Sequence, residues 1–321
     1  MITHAPDARE LAGYERLLAL LFAKEPDDEL RALMAGIPEL AAYATPEAAG
    51  RHTHVLVLNA YPFASVYLDE GGALHGRRAA FTRDVLRALG LQVEGREGMA
   101  ADHVSVALDA LVALLEREAD AAGPLEARRA RHAQRTVLAE HLLPWAPSFL
   151  GAVQRVDEGG LYGAAAGLAR KTLVQHARRL DEASTGEAPA PTPTTRADAA
   201  TDEAEEPGEN GAVAWLASPA RCGMFLSRHD LAVLGASAGI PTRIGGRRFV
   251  LEAMVRAAHE EAEATALTRA LSAFASARRA ELQAWMDEAP AYAGAWRPWL
   301  ATLDATRMRL EEGVLDGAGS L

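Results

Sequence analysis

The sequence predicts an all-α protein. Aromatic residues make up only 6% of a chain that is 49% apolar, and alanine is abundant, a mixture that favours close-packed helices over strands rich in aromatic and β-branched side chains. Apolar residues also recur at three- and four-residue spacings along most of the chain, the period of a helix with one buried face. A length of 321 residues suffices for one large or two ordinary domains with real cores. The expected organisation is a helical bundle over residues 1–182, an acidic linker over 183–212 and a small helical domain over 213–321.

Residues 8–23 place Leu11, Tyr14, Leu17, Leu18, Leu21 and Phe22 on one helical stripe. Pro26-Asp27-Asp28-Glu29 starts a second helix, with its acids in the first turn where the helix dipole favours them. A segment over 47–58 contains His52 and His54, which lie two apart and so point to different faces rather than forming a metal pair. Pro62 then denies the backbone an N–H and pushes Tyr61 out of the α region, so this stretch is expected to be extended, with Phe63, Val66 and Tyr67 on irregular backbone between helices. Such residues either plug the gap between helices or line a peptide groove.

The helix over 77–89 sets Phe81, Val85, Leu86 and Leu89 on one face and stops at Gly90, a left-handed cap. Asp102 is placed to cap the next helix, 104–118, and His103 beside it cannot face it as an acid–base dyad. A helix from about 125, carrying Arg128, Arg129, Arg131 and Arg135, is ended or kinked by Pro144. Trp145 and Phe149 open another, and 161–180 closes the block.

Between 183 and 212 there are four prolines, and seven acids stand against Arg196, the composition of a segment that cannot bury enough apolar surface to order itself. Beyond it, Ser227-Arg228-His229-Asp230 reads as a capping box. Gly239-Ile240-Pro241 ends that helix, and a turn with Arg247-Arg248 opens another. This hairpin is superficially like the SAP-type nucleic-acid module, but only Arg243, Arg247, Arg248 and Arg256 cluster there, so a plain helical hairpin is the stronger reading. Helices over 265–287 and 296–312 follow, with Trp285, Trp296 and Trp299 as their core.

The formal net charge of −11 argues against a broadly basic, nucleic-acid-binding surface and favours a cationic peptide as partner. The linker carries −6 of it, so the folded parts hold only about −5. Cys222 is the one cysteine, which excludes an internal disulfide and any multi-cysteine metal site. The amino terminus has no basic start or apolar run, and no stretch approaches the roughly 20 apolar residues that span a bilayer. A cytoplasmic protein without membrane insertion is expected. There is no P-loop, Gly-x-Ser-x-Gly, His-Glu-x-x-His or dinucleotide fingerprint, so neither an enzyme nor a resident cofactor or metal is expected.

Four stretches together resemble the TorD-like family of redox-enzyme maturation chaperones. Pro62-Phe63-Ala64-Ser65-Val66-Tyr67-Leu68-Asp69 resembles the family's Pro-aromatic-x-Ser-Val-aromatic-Leu-Asp segment, and Asp102-His103 falls where it has Glu-Pro-x-Asp-His. His141-Leu142-Leu143-Pro144-Trp145 is similar to its His-Leu-x-Pro-Trp, and Leu161-Tyr162 sits where Phe-Tyr is usual. Met99 and Ala100 replace the acid and proline of the second motif, and the preceding aromatic motif survives only as residues 52–56, ending at Leu56. The resemblance covers residues 10–182. It implies a cytoplasmic all-α domain that binds the twin-arginine signal peptide and apoprotein of a molybdenum-containing oxidoreductase until cofactor is inserted, with homodimerisation left open. It assigns peptide binding to Leu56, Pro62, Phe63, Ser65, Val66, Tyr67, Asp69, Asp102, His103, His141, Pro144 and Trp145. Acidic Asp69, Glu70 and Asp102 would meet the cationic head of such a peptide, and Phe63, Val66 and Tyr67 its apolar region.

Overall fold

The computed structural model describes residues 6–48, 50–72, 76–91, 99–183, 209–260 and 262–315. Among these the regular structure is helical, and the one strand-like pairing is an isolated antiparallel bridge between Phe63 and His103. Most of the expected linker, 184–208, lies outside the described residues. Its last four positions do not read as linker, because a helix already begins at Glu209.

Helix α1 (Ala8–Ala23) starts at a reciprocal capping box between Asp7 and Glu10, which satisfies two of the free N–H groups of the first turn. After α2 (Asp28–Ala35), two short 3-10 turns and a π-helical turn at Thr53–Val57 bring the chain to α3 (Ala64–Leu68). Val66 and Tyr67 thus belong to a short helix, and the extended backbone expected around them is confined to Tyr61, Pro62 and Phe63. Helix α4 (Arg77–Ala88) ends before Gly90 at φ +67°. Its buried side chains are Thr82 and Leu86. Phe81, expected on the apolar face, is 44% exposed and stacks on His141 instead.

Helix α5 (Val104–Ala119) is the centre of the bundle and packs along α1. Helix α6 (Pro124–Thr136) passes into a π-helical turn at Val137–Leu142, followed by α7 (Ala146–Val156) and α8 (Leu161–Glu182). One polar network crosses this core. His176 on α8 places Nδ1 2.6 Å from Glu15 Oε1 and Nε2 2.9 Å from Gln134 Oε1, with all three side chains buried. Gln134 Nε2 donates to Leu114 O at 3.2 Å and to Glu118 Oε2 at 2.9 Å, which turns its carbonyl toward His176 and makes His176 Nε2 the donor.

The remaining helices are α9 (Glu209–Ala217), α10 (Pro219–Cys222), α11 (Arg228–Ser237), α12 (Arg247–Glu260), α13 (Ala264–Glu288) and α14 (Arg297–Glu311). The Ser227/Asp230 capping box is present on α11, and Trp285, Trp296 and Trp299 are buried as expected. These helices share one contiguous apolar core with the amino-terminal bundle. Trp296 Nε1 donates to Leu143 O at 2.6 Å. Arg155 grips Asp230 through Nε at 2.7 Å and Nη2 at 3.1 Å, and Arg170 reaches Glu288 at 2.8 Å. The helices of 209–315 are therefore docked on the bundle. Gly151 on α7 shows how closely: a Cβ there would stand 3.0 Å from the Glu281 carboxylate on α13.

Candidate peptide-binding site

Stretches far apart in sequence meet at α3. The carbonyl of Pro62 accepts from Val104 N at 2.9 Å, and Ala64 N donates to Asp102 O at 3.0 Å. These bonds join the entrance of α3 to the entrance of α5. Ser65 N donates to Asp102 Oδ2 at 2.9 Å, so Asp102 satisfies a first-turn amide of α3 and not of α5. His103 is the N-cap of α5 in its place, its Nδ1 accepting from Ser105 N at 3.1 Å. Phe63 packs edge-on against the His103 ring at 4.9 Å.

The third motif closes the other side. Trp145 stacks on Tyr67 with ring centroids 5.4 Å apart and donates through Nε1 to His141 O at 2.7 Å. His141 Nδ1 lies 3.1 Å from Thr82 Oγ1 on α4. Burial, reinforced by the Arg78 guanidinium, pushes the His141 imidazole down to about 4, so it is neutral at physiological pH. Burial likewise raises the Tyr67 phenol well above its ordinary value. Among the described residues Ser65 Oγ, Tyr67 OH, Asp102 Oδ1 and His141 Nε2 are buried without a hydrogen-bond partner.

Leu56, Pro62, Ser65, Val66, Tyr67, Asp102, His103, His141, Pro144 and Trp145 are buried, and Phe63 and Asp69 are half-buried. Asp69 Oδ2 accepts from Arg78 N at 3.3 Å, while Glu70 is exposed. The accessible edge of the site is thus Phe63 and Asp69–Glu70, and the buried positions hold the joint together. The sequence reading missed the residues that cover it. Phe225 lies 4.9 Å from Tyr67 and 6.2 Å from Tyr61, and Arg247 sits over Phe225 at 5.1 Å. Of the basic cluster on the α11–α12 hairpin, Arg247 faces inward and Arg248 pairs with Glu252 at 3.1 Å.

Residues 23–151, which contain three of these motifs, match the model of the nitrate reductase delta subunit family. Over these residues the amino-terminal bundle is similar to the TorD-like chaperone family. Chaperone protein TorD of Vibrio cholerae serotype O1 (strain O395) is 36% identical over 124 residues, which cover 39% of this chain and 56% of that protein. TorD of Vibrio vulnificus (strain YJ016) is 34% identical over 106 residues, 33% of this chain and 49% of the relative. TorD of Aliivibrio fischeri is 32% identical over 110 residues, 34% and 51% of the two chains. This chain spans about half the length of the TorD relatives it matches. Three of the four TorD-like stretches, 62–69, 102–103 and 141–145, meet at the α3 joint, whereas Tyr162 of the fourth packs edge-on against His52.

Proposed function

We propose that the protein is a maturation chaperone that binds the apoprotein of a redox enzyme, holding a peptide segment with a cationic head and an apolar run before the cofactor is inserted. The finer form of this reading, resting on the family resemblance, is a cytoplasmic chaperone for the twin-arginine signal peptide of a molybdenum-containing oxidoreductase. One observation carries it: three of the family's four motifs converge on a single joint that leaves accessible, at the two ends of the short helix α3, the half-buried Phe63 ring and the Asp69–Glu70 acids. Carboxylates and an aromatic face one short helix apart suit a segment with an arginine head and an apolar run, the acids taking charge-assisted contacts and the ring the apolar ones.

Glu70→Lys combined with Phe63→Ala tests it, because neither change removes a bond that closes the joint. In calorimetric titration with a peptide carrying two arginines ahead of an apolar run, the double variant is expected to bind at least about tenfold more weakly with helicity unchanged. Equal affinity for variant and parent would show that the edge is misassigned.

A further inference from the structure

Against α3 the chain packs residues of its own whose chemistry, aromatic and apolar beside one arginine, is that of the proposed ligand. Between α10 and α11 the chain runs without helix through Met224-Phe225-Leu226, all three buried. It turns into this stretch at Gly223, whose φ of +70° favours glycine and whose Cβ would stand 3.0 Å from Leu303 Cγ. Phe225 meets Tyr67 and Tyr61, and helix α10 packs on α3. The Arg247 guanidinium lies over the outer part of this cluster, 5.1 Å from the Phe225 ring, with Nη2 3.9 Å from the position a Cβ would take on Gly72. That brings it beside the segment that carries Asp69 and Glu70. Its Nη2 donates to Ala217 O at 2.7 Å, whereas Nη1 is buried and has no hydrogen-bond partner among the described residues.

We infer that Met224-Phe225-Leu226 and Arg247 are an internal placeholder in the client-peptide site, displaced when a client segment of the same chemistry arrives. The inference rests on the proposed function and adds to it a competition. A tethered segment competes at high effective concentration, so the full chain binds a client peptide with its intrinsic affinity multiplied by the fraction of molecules in which the placeholder is out. The unsatisfied Nη1 makes Arg247 the weakest part of the seat, because a buried donor without an acceptor has lost its water for nothing in return. An incoming arginine can take the cation–π position, next to the turn at Gly72 that follows Asp69 and Glu70 in the chain.

The test uses the full-length protein and a synthetic peptide with two adjacent arginines followed by an apolar run. Arg247→Gln keeps the stem and removes the charge, and is expected to bind the peptide about tenfold more tightly than the parent. In the parent, adding peptide is expected to raise amide hydrogen exchange across residues 223–251, and this measurement decides alone if the variant fails to fold. Equal affinities, or unchanged exchange across 223–251 when the parent binds, would overturn the placeholder and leave peptide binding standing. Failure of parent and variant alike to bind, with both helical, would overturn the proposed function as well.

Discussion

Glu15→Ala is expected to destabilise the protein by about 3–5 kcal/mol, the cost of removing one member of a fully buried hydrogen-bonded pair and stranding the other. Glu15 and His176 have no solvent exposure, and their contact is 2.6 Å. His176 Nε2 already donates to Gln134, so the single proton between Nδ1 and Glu15 sits on one of the two groups, giving either an ion pair or a neutral acid–imidazole bond. Either way, loss of the carboxyl leaves a buried ring nitrogen without a partner. Glu15→Leu together with His176→Leu removes both polar groups and should recover most of the loss. Urea denaturation of Glu15→Leu, His176→Leu and the double variant closes the cycle. A single-variant loss below about 1 kcal/mol would mean that water reaches the pair and replaces the missing group.

Trp296→Ala is expected to cost a further about 3–5 kcal/mol, the range for truncating a fully buried indole. Its effect should not stay local. Trp296 is fully buried, packs against Trp285 at 5.7 Å and hydrogen-bonds the backbone of Leu143, next to Pro144 and Trp145. A core shared between the bundle and the helices of 209–315 should unfold as one, so near-ultraviolet dichroism and helicity should shift together in the variant. Separation into two transitions, with the bundle's midpoint unmoved, would contradict that coupling.

The fold class was legible because helical periodicity is local. Alternation at three and four residues marked most helices, and short-range chemistry marked the Ser227/Asp230 box and the Gly90 stop. The misses were of two kinds. Some were register effects: Asp102 and His103 are both good caps, and nothing local says that Asp102 turns back 37 residues to Ser65 while His103 takes α5. Phe81 was misplaced for a similar reason, since Thr82, one position on, occupies the buried face as the partner of His141. The π-helical turns at Thr53–Val57 and Val137–Leu142 have no propensity signature and are held by packing. Other misses were long-range. Glu15 interrupts a stripe of Leu11, Leu18 and Phe22, and His176 lies between Leu173 and Leu180. A polar residue on an apolar stripe needs a partner, so each could have been flagged, though not paired.

The candidate site was legible only as motifs. Reading the motif residues as a surface followed from their order in the chain. Their burial follows from Trp145 and Phe225 closing on Tyr67 from stretches distant in sequence. The same long-range packing brings Arg247 to the edge of the site, where a count of basic residues on the hairpin had grouped it with outward-facing neighbours.

The central claim is that the protein recognises a cationic head joined to an apolar run, and peptide order tests this most directly. The full-length protein should be titrated with two peptides of identical composition, one with paired arginines ahead of an apolar run and one with the same residues scrambled. The account predicts at least about tenfold tighter binding of the ordered peptide, with an affinity that falls as salt rises because part of it comes from Glu70 and Asp69 at the accessible edge. Equal binding of the two peptides, or binding insensitive to salt, would contradict it.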